Sequence, residues 1–306
     1  MACLLGVQQS FVQAERTLRE VAGWDLDDNT IRQLCHATAK RAHADRHERA
    51  TAEAFAAAPG DRELQIDAGK VNTLDGWRDV KVAVFACRER GEPATAADGD
   101  ERDLPAPAVR SVVAAVEEAA AFGPRCAAEA RRLGLTQPEE LSVLGDGADW
   151  IMGLQQAYFP GSCGVLDIYH GAEKIAAAAR AVFGAQTETA RQQAARGRQR
   201  LLEDGYAGVV EWVGEVGSGL AAGGDGAALG EVLNYFAGRQ ERLGYAVRLH
   251  RGQSIGSGLV EGTIKHLLNR RMKQTGARWT TEHVGPLVEL GALAAGPEWQ
   301  GFWASN

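Results

Sequence analysis

Trp77-Arg78-Asp79-Val80-Lys81-Val82-Ala83-Val84-Phe85 is the strongest strand signal in the chain. Its β-branched and aromatic residues fit a pleated, half-buried surface and not a helix face. Working outward, Leu64-Gln65-Ile66-Asp67 alternates apolar and polar residues, and Ala68-Gly69 offers a turn, so Asp67 is expected at the end of a first strand. Val109 to Val116 predicts a third strand beyond a polar, Gly/Asp-rich loop from Arg88 to Asp103. Leu141-Ser-Val-Leu144 is a short apolar run ended by Gly145-Asp146-Gly147, and Cys163-Gly-Val-Leu-Asp167-Ile-Tyr169 reads as another buried strand. Between and after these strands, 117–133, 150–158 and 172–183 carry helical patterns. A meander followed by alternating strands and helices predicts an α/β protein with a mixed sheet covered by helices.

The flanks read differently. Residues 1–60 predict helices: one from Gln8 to Val21 stopped near Gly23, then a long one capped by Asp27, Asp28 or Asn29 and running to about Phe55. Two helices joined by a short turn could be a helix-turn-helix. A helical hairpin packed on the body fits better, because the second helix mixes Arg32, Lys40, Arg41 and Arg46 with acids. Residues 185–250 are helical in pattern around a Gly/Ala-rich piece and read as an insertion. The core then comprises 61–184 and 251–306.

Composition narrows the function classes. At 306 residues there is ample core, and 45% hydrophobic with 24% charged residues is a globular profile. No apolar run approaches a membrane span, and the start lacks a secretory pattern, so the expectation is a cytoplasmic protein without membrane contact. Five cysteines without a Cys-x-x-Cys pair argue for reduced thiols, not for a disulfide frame or zinc knuckle. A net charge of −7 counts against a general nucleic-acid coat protein but leaves room for one basic groove.

Such a local basic surface follows Glu261. Lys265, Arg270, Arg271, Lys273 and Arg278 come in succession with no acid before Glu282. A carboxylate that can hold a divalent metal, beside cations that can hold phosphates, suits chemistry on a nucleic-acid backbone. Asp67 and Asp146 at strand ends would face the crevice where ligands collect in an α/β sheet. Three converging carboxylates can hold two divalent ions roughly 4 Å apart, as phosphodiester displacement requires.

With these segments in this order, the chain resembles the ribonuclease H-like catalytic domain of Asp-Asp-Glu transposases. In particular it resembles bacterial insertion-sequence transposases of the Kra type, related to the Mutator-like group. The segments that carry the resemblance are Ile66-Asp67-Ala-Gly69 with Gly76-Trp77-Arg78, Gly145-Asp146-Gly147-Ala-Asp149-Trp150, Leu166-Asp167-Ile-Tyr-His170, and the run from Ile255 to Trp279. The resemblance implies that Asp67, Asp146 and Glu261 are ligands for Mg²⁺ or Mn²⁺, with DNA (transposon ends and target) as substrate and a homo-oligomer forming on it. It implies an accessory role for Asp167 and His170, with Asp167 the main rival to Asp146 as second ligand and Asp149 a weaker one. It further implies phosphate contacts from the five cations; Trp279 either stacks on a base or fills core. The alternative is a truncated or domesticated derivative that binds DNA or a partner without transposing. That alternative is favoured by a chain that starts almost directly at its helical segment, where relatives carry a longer part for binding the element's ends.

Overall fold

A computed structural model describes residues 1–44, 51–98, 102–219, 226–296 and 298–304. Five strands form one mixed sheet in the order β3-β2-β1-β4-β5. They are β1 (Asp61–Thr73), β2 (Gly76–Arg88), β3 (Val109–Ala115), β4 (Leu141–Gly145) and β5 (Cys163–Leu166). The first three are an antiparallel meander, and β4 and β5 run parallel to β1. The α/β fold with a mixed, helix-covered sheet is therefore as the sequence predicts.

Two expectations need correction. Ala68-Gly69 is not a turn: β1 runs straight through it, pairing Ala68 with Lys81 and Gly69 with Val80, and the chain reverses at Leu74-Asp75. Asp67 accordingly lies within β1, opposite Val82, not at its end. The glycine is there because a helix passes close by, since a Cβ at Gly69 would lie 2.5 Å from Leu268 Cδ1 and 2.9 Å from Ile264 Cγ2. In the second case, the strand expected to reach Tyr169 stops at Leu166. Asp167 caps a helix instead, its side chain accepting from the His170 backbone N–H.

Helices cover both faces. At the start come α1 (Ala2–Gln8), α2 (Phe11–Thr17, continued by a π-turn over Leu18–Ala22), α3 (Asp28–Ala44) and α4 (Thr51–Ala57). The expected single helix to Phe55 is thus seen as two pieces, with 45–50 outside the described residues. Next are α5 (Ala119–Arg132), α6 (Asp149–Tyr158) and α7 (Ile168–Phe183). The region read as an insertion holds α8 (Glu188–Asp204), α9 (Tyr206–Ser218), α10 (Ala227–Ala237) and α11 (Tyr245–His250), with no strand among its described residues. The chain closes with α12 (Gly258–Ile264, continued by a π-turn over Lys265–Asn269), α13 (Arg270–Met272), α14 (Thr281–Ala294) and α15 (Glu298–Ala304). Among the described residues no helix is long and apolar enough to cross a membrane.

Three apolar cores follow from this layering. Val71, Val80, Val82 and Val84 pack one sheet face against Ile31, Ile264, Leu268 and Val288, which fixes the N-terminal helices as a pack on the body. Leu64, Ile66, Phe85 and Val143 pack the other face against Phe122 and Leu154. The helical insertion has its own core around Trp212, Phe236 and Tyr245, joined to the sheet through Leu144 and Val165.

Candidate active site at the sheet edge

Strand register brings the acids together. Gln65 pairs with Leu144 in the parallel β1–β4 ladder, and Gly145 pairs with Leu166 between β4 and β5. Continuing both ladders past their last pairs puts Asp67 level with Asp146, and Asp146 level with Asp167. Residues level in parallel strands project from the same face, with neighbouring strands about 4.8 Å apart. Three aspartates thus form a row from the middle of β1 across the carboxyl ends of β4 and β5.

The face they use is fixed by β1. Leu64 and Ile66 point into the core under α5, so Glu63, Gln65, Asp67 and Gly69 point the other way, toward α12. Gln65 Oε1 accepts from the N–H groups of Leu259 (3.1 Å) and Val260 (3.2 Å, shared with the Ser257 carbonyl), capping the first turn of α12. Gly69 meets Ile264 and Leu268 further along the same helix. Asp67 lies between these two contacts and therefore faces the turn that carries Glu261, which is exposed.

The charges respond to this crowding. The Asp67 carboxyl is pushed up to about 6, first by burial and then by the negative charges of Asp146 and Glu261. Its Oδ1 accepts from the Ala68 N–H (2.7 Å), and His170 also opposes the rise. Asp146 Oδ1 accepts from the Ala148 N–H at 2.8 Å. Gly147, at φ +80°, makes the turn that aims this carboxylate along the edge, a conformation that favours glycine.

Asp167 is a different kind of carboxylate. It is fully buried, and four donors already occupy it. Oδ1 accepts from His170 N (2.9 Å) and Nδ1 (3.2 Å), and Oδ2 from Ser257 N and Oγ (2.8 Å). Burial alone would raise its pKa; the bonds from His170 and Ser257 outweigh that and lower it. The Asp167 bond and charge in turn raise the His170 imidazole to about 9, against its partial burial. Ser257 Oγ sits between Asp167 Oδ2 and Glu261 Oε1 (3.2 Å), so the buried acid also holds the start of the Glu261 helix.

Ligand atoms of Asp167, His170 and Glu261 lie within 4.8 Å of one another, a spacing that could hold a metal ion. With both Asp167 oxygens engaged, the acids with coordination capacity left are Asp67, Asp146 and Glu261. Among the described residues these three do not form a group as tight as Asp167, His170 and Glu261, but the negative charges of Asp146 and Glu261 reach Asp67, and three hard oxygen donors suit a divalent cation. Asp149 is set apart, exposed and facing Arg239 (3.6 Å).

Several supporting residues carry no sequence signal. From the insertion, the Tyr235 hydroxyl donates to the Asp146 carbonyl (3.1 Å), and the Arg239 guanidinium donates to the Gly147 carbonyl (2.8 and 3.1 Å). Gln65 and Ser257 likewise act only through the register that brings distant segments together.

The basic run divides. Lys265, Arg270, Lys273 and Arg278 are exposed and available to phosphates. Arg271 is not: it is 4% exposed, its Nε donates to the Gly6 carbonyl (2.9 Å), and burial lowers its pKa to about 10. Its guanidinium lies between the Phe11 and Trp279 rings, 4.9 and 4.7 Å from their centroids. Trp279 packs on the core and donates Nε1–H to the Met272 carbonyl (3.1 Å), which favours its packing role over base stacking. The expectation for Arg271 as a surface phosphate contact is therefore overturned by its burial.

No family model matches the chain, and no curated protein matches it in sequence.

Proposed function

We propose that this protein cuts and rejoins DNA strands by metal-dependent phosphodiester chemistry, as an Asp-Asp-Glu transposase with a ribonuclease H-like core. The observation that carries the reading is the register row of Asp67 and Asp146, with Glu261 set above it on α12 by Gln65 and Gly69. Carboxylates from two parallel strands and from a late helix beyond a helical insertion lie on one side of the sheet, near enough for Asp146 and Glu261 to raise the Asp67 pKa. The Asp67 pKa, raised first by burial and then by Asp146 and Glu261, is in keeping with a site where a bound cation would offset charge.

Asp67, Asp146 and Glu261 would hold Mg²⁺ or Mn²⁺. A divalent ion bound there acidifies the attacking water or 3′-hydroxyl and offsets charge on the leaving oxygen. The rest falls to the chain's own groups. Asp167 fixes His170 as a cation at the edge of the acid row, where it lessens repulsion beside Asp146. Tyr235 and Arg239 hold the Asp146–Gly147 backbone. Lys265, Arg270, Lys273 and Arg278 would bind the strand backbone, which carries no base information.

The test is cleavage of supercoiled and end-labelled duplex DNA with Mg²⁺ or Mn²⁺. Metal-dependent nicking is expected, lost in Asp67→Asn and Glu261→Gln. Cleavage that persists in both variants, or in chelator, would end this reading.

A further inference from the structure

Past the carboxylate row, β1 and β2 continue without other strands beside them. β4 pairs with β1 only over 62–65 and β3 with β2 only over 81–87, so 66–73 and 76–80 form a two-stranded arm. One face of the arm is packed, with Val71 and Val80 buried in the core that holds Ile264 and Leu268. Its tip is braced by the segment that ends the basic run. The Leu74 N–H donates to the Trp279 carbonyl (2.8 Å), the Trp279 N–H to the Asn72 carbonyl (3.1 Å), and Thr281 Oγ1 to the Asp75 carboxylate (3.0 Å).

On this stiff support two large apolar side chains stand in solvent: Leu74 in the turn, 63% exposed, and Trp77 just after it, 60%. Adjacent apolar groups held out of the core on a braced tip suit a surface that covers them. The charges beside them say which surface. Arg78 follows Trp77, Arg278 precedes Trp279, and both are exposed; no acid lies between Glu261 and Glu282. The acids of the arm are engaged, Asp75 by Thr281 and Asp79 by Lys70 (3.9 Å). Apolar side chains flanked by cations match DNA, whose phosphates take the cations and whose base faces take the apolar groups. The arm also leads from the carboxylates. Six residues separate Asp67 from Thr73, roughly 20 Å at about 3.3 Å per residue. That is less than one turn of duplex.

We infer that Leu74 and Trp77 enter the base stack of DNA bound along the basic run, parting one base step and kinking the duplex within a helical turn of the carboxylate site. The inference rests on nucleic acid being the substrate of that site. Inserted apolar side chains bend duplexes by roughly 20–90°. Opening the stack costs least where a step is already mispaired, so the arm favours distorted DNA.

Two duplexes of one length test it on the full chain without divalent metal, one fully paired and one with a mismatched central step. Fluorescence anisotropy reads affinity, and energy transfer between dyes at the duplex ends reads bending. Binding should draw the ends of the paired duplex together, and the mismatched duplex should bind about tenfold more tightly. Replacing Leu74 and Trp77 together by Ala should abolish both effects. It should leave the salt dependence and melting temperature unchanged, because both side chains are uncharged and exposed. A bound duplex that stays straight, bending and preference that survive the double substitution, or a double variant with a lowered melting temperature overturns the insertion alone. No binding to either duplex overturns both this inference and the nucleic-acid reading.

Discussion

Asp146 and Asp167 both follow a parallel strand and lie level with each other, yet their surroundings give them opposite duties. Asp167 has four donors on its two oxygens and no exposure, whereas Asp146 takes one backbone N–H and stays partly exposed. Asp167→Asn puts an amide where donors converge, and should lower stability by about 2–4 kcal/mol. Asp146→Asn should leave stability within about 0.5 kcal/mol and abolish metal-dependent cleavage. Urea unfolding beside a nicking assay separates the two. An Asp167→Asn protein that is dead but as stable as wild type, with Asp146→Asn still active, would reverse the assignment. The sequence alone left these two acids as rivals, because each follows an apolar run. What separates them is Ser257, ninety positions away from Asp167 in the chain.

At the scale of elements, the seat of α12 on β1 sets the third carboxylate. The helix is held by Gln65 at its start and by the close approach at Gly69 further along. Gly69→Ala introduces a Cβ against Leu268 and Ile264 and should cost about 1–3 kcal/mol. It should also weaken metal binding, because the side chains that must move lie on the helix carrying Glu261. Full metal affinity in a destabilised Gly69→Ala protein would show that the helix seat does not govern the site. This position also marks what local pattern cannot reveal. Ala68-Gly69 has the chemistry of a turn, and only the helix packed across it explains a glycine inside a thirteen-residue strand. The β-branched and aromatic run of β2 and the apolar runs of β4 and β5 were legible because burial of a strand on both faces leaves its mark on adjacent residues. The end of β5 was not, since Asp167-Ile168-Tyr169 continues an apolar pattern while its backbone turns into α7.

For the whole molecule, an acidic chain leaves Lys265, Arg270, Lys273 and Arg278 exposed in the segment after Glu261. Replacing exposed Arg270 and Lys273 together by Ala should weaken binding to every DNA sequence and flatten the slope of log affinity against log salt by about two, at roughly 0.9 per phosphate contact. An unchanged slope would make these cations part of the folded surface only. The layered α/β plan and the helical insertion could be read from patterning, whereas the burial of Arg271 could not, because a run of cations looks alike whether it faces solvent or two aromatic rings. The central claim is that Asp67, Asp146 and Glu261 form one divalent-metal site. Titration of Mn²⁺ into the DNA-free protein, followed by electron paramagnetic resonance, tests it most directly. Saturable binding is expected, weakened by more than about tenfold in each of Asp67→Asn, Asp146→Asn and Glu261→Gln but not in Asp149→Asn. Wild-type affinity in all three variants, or no saturable binding by the unaltered protein, would contradict it.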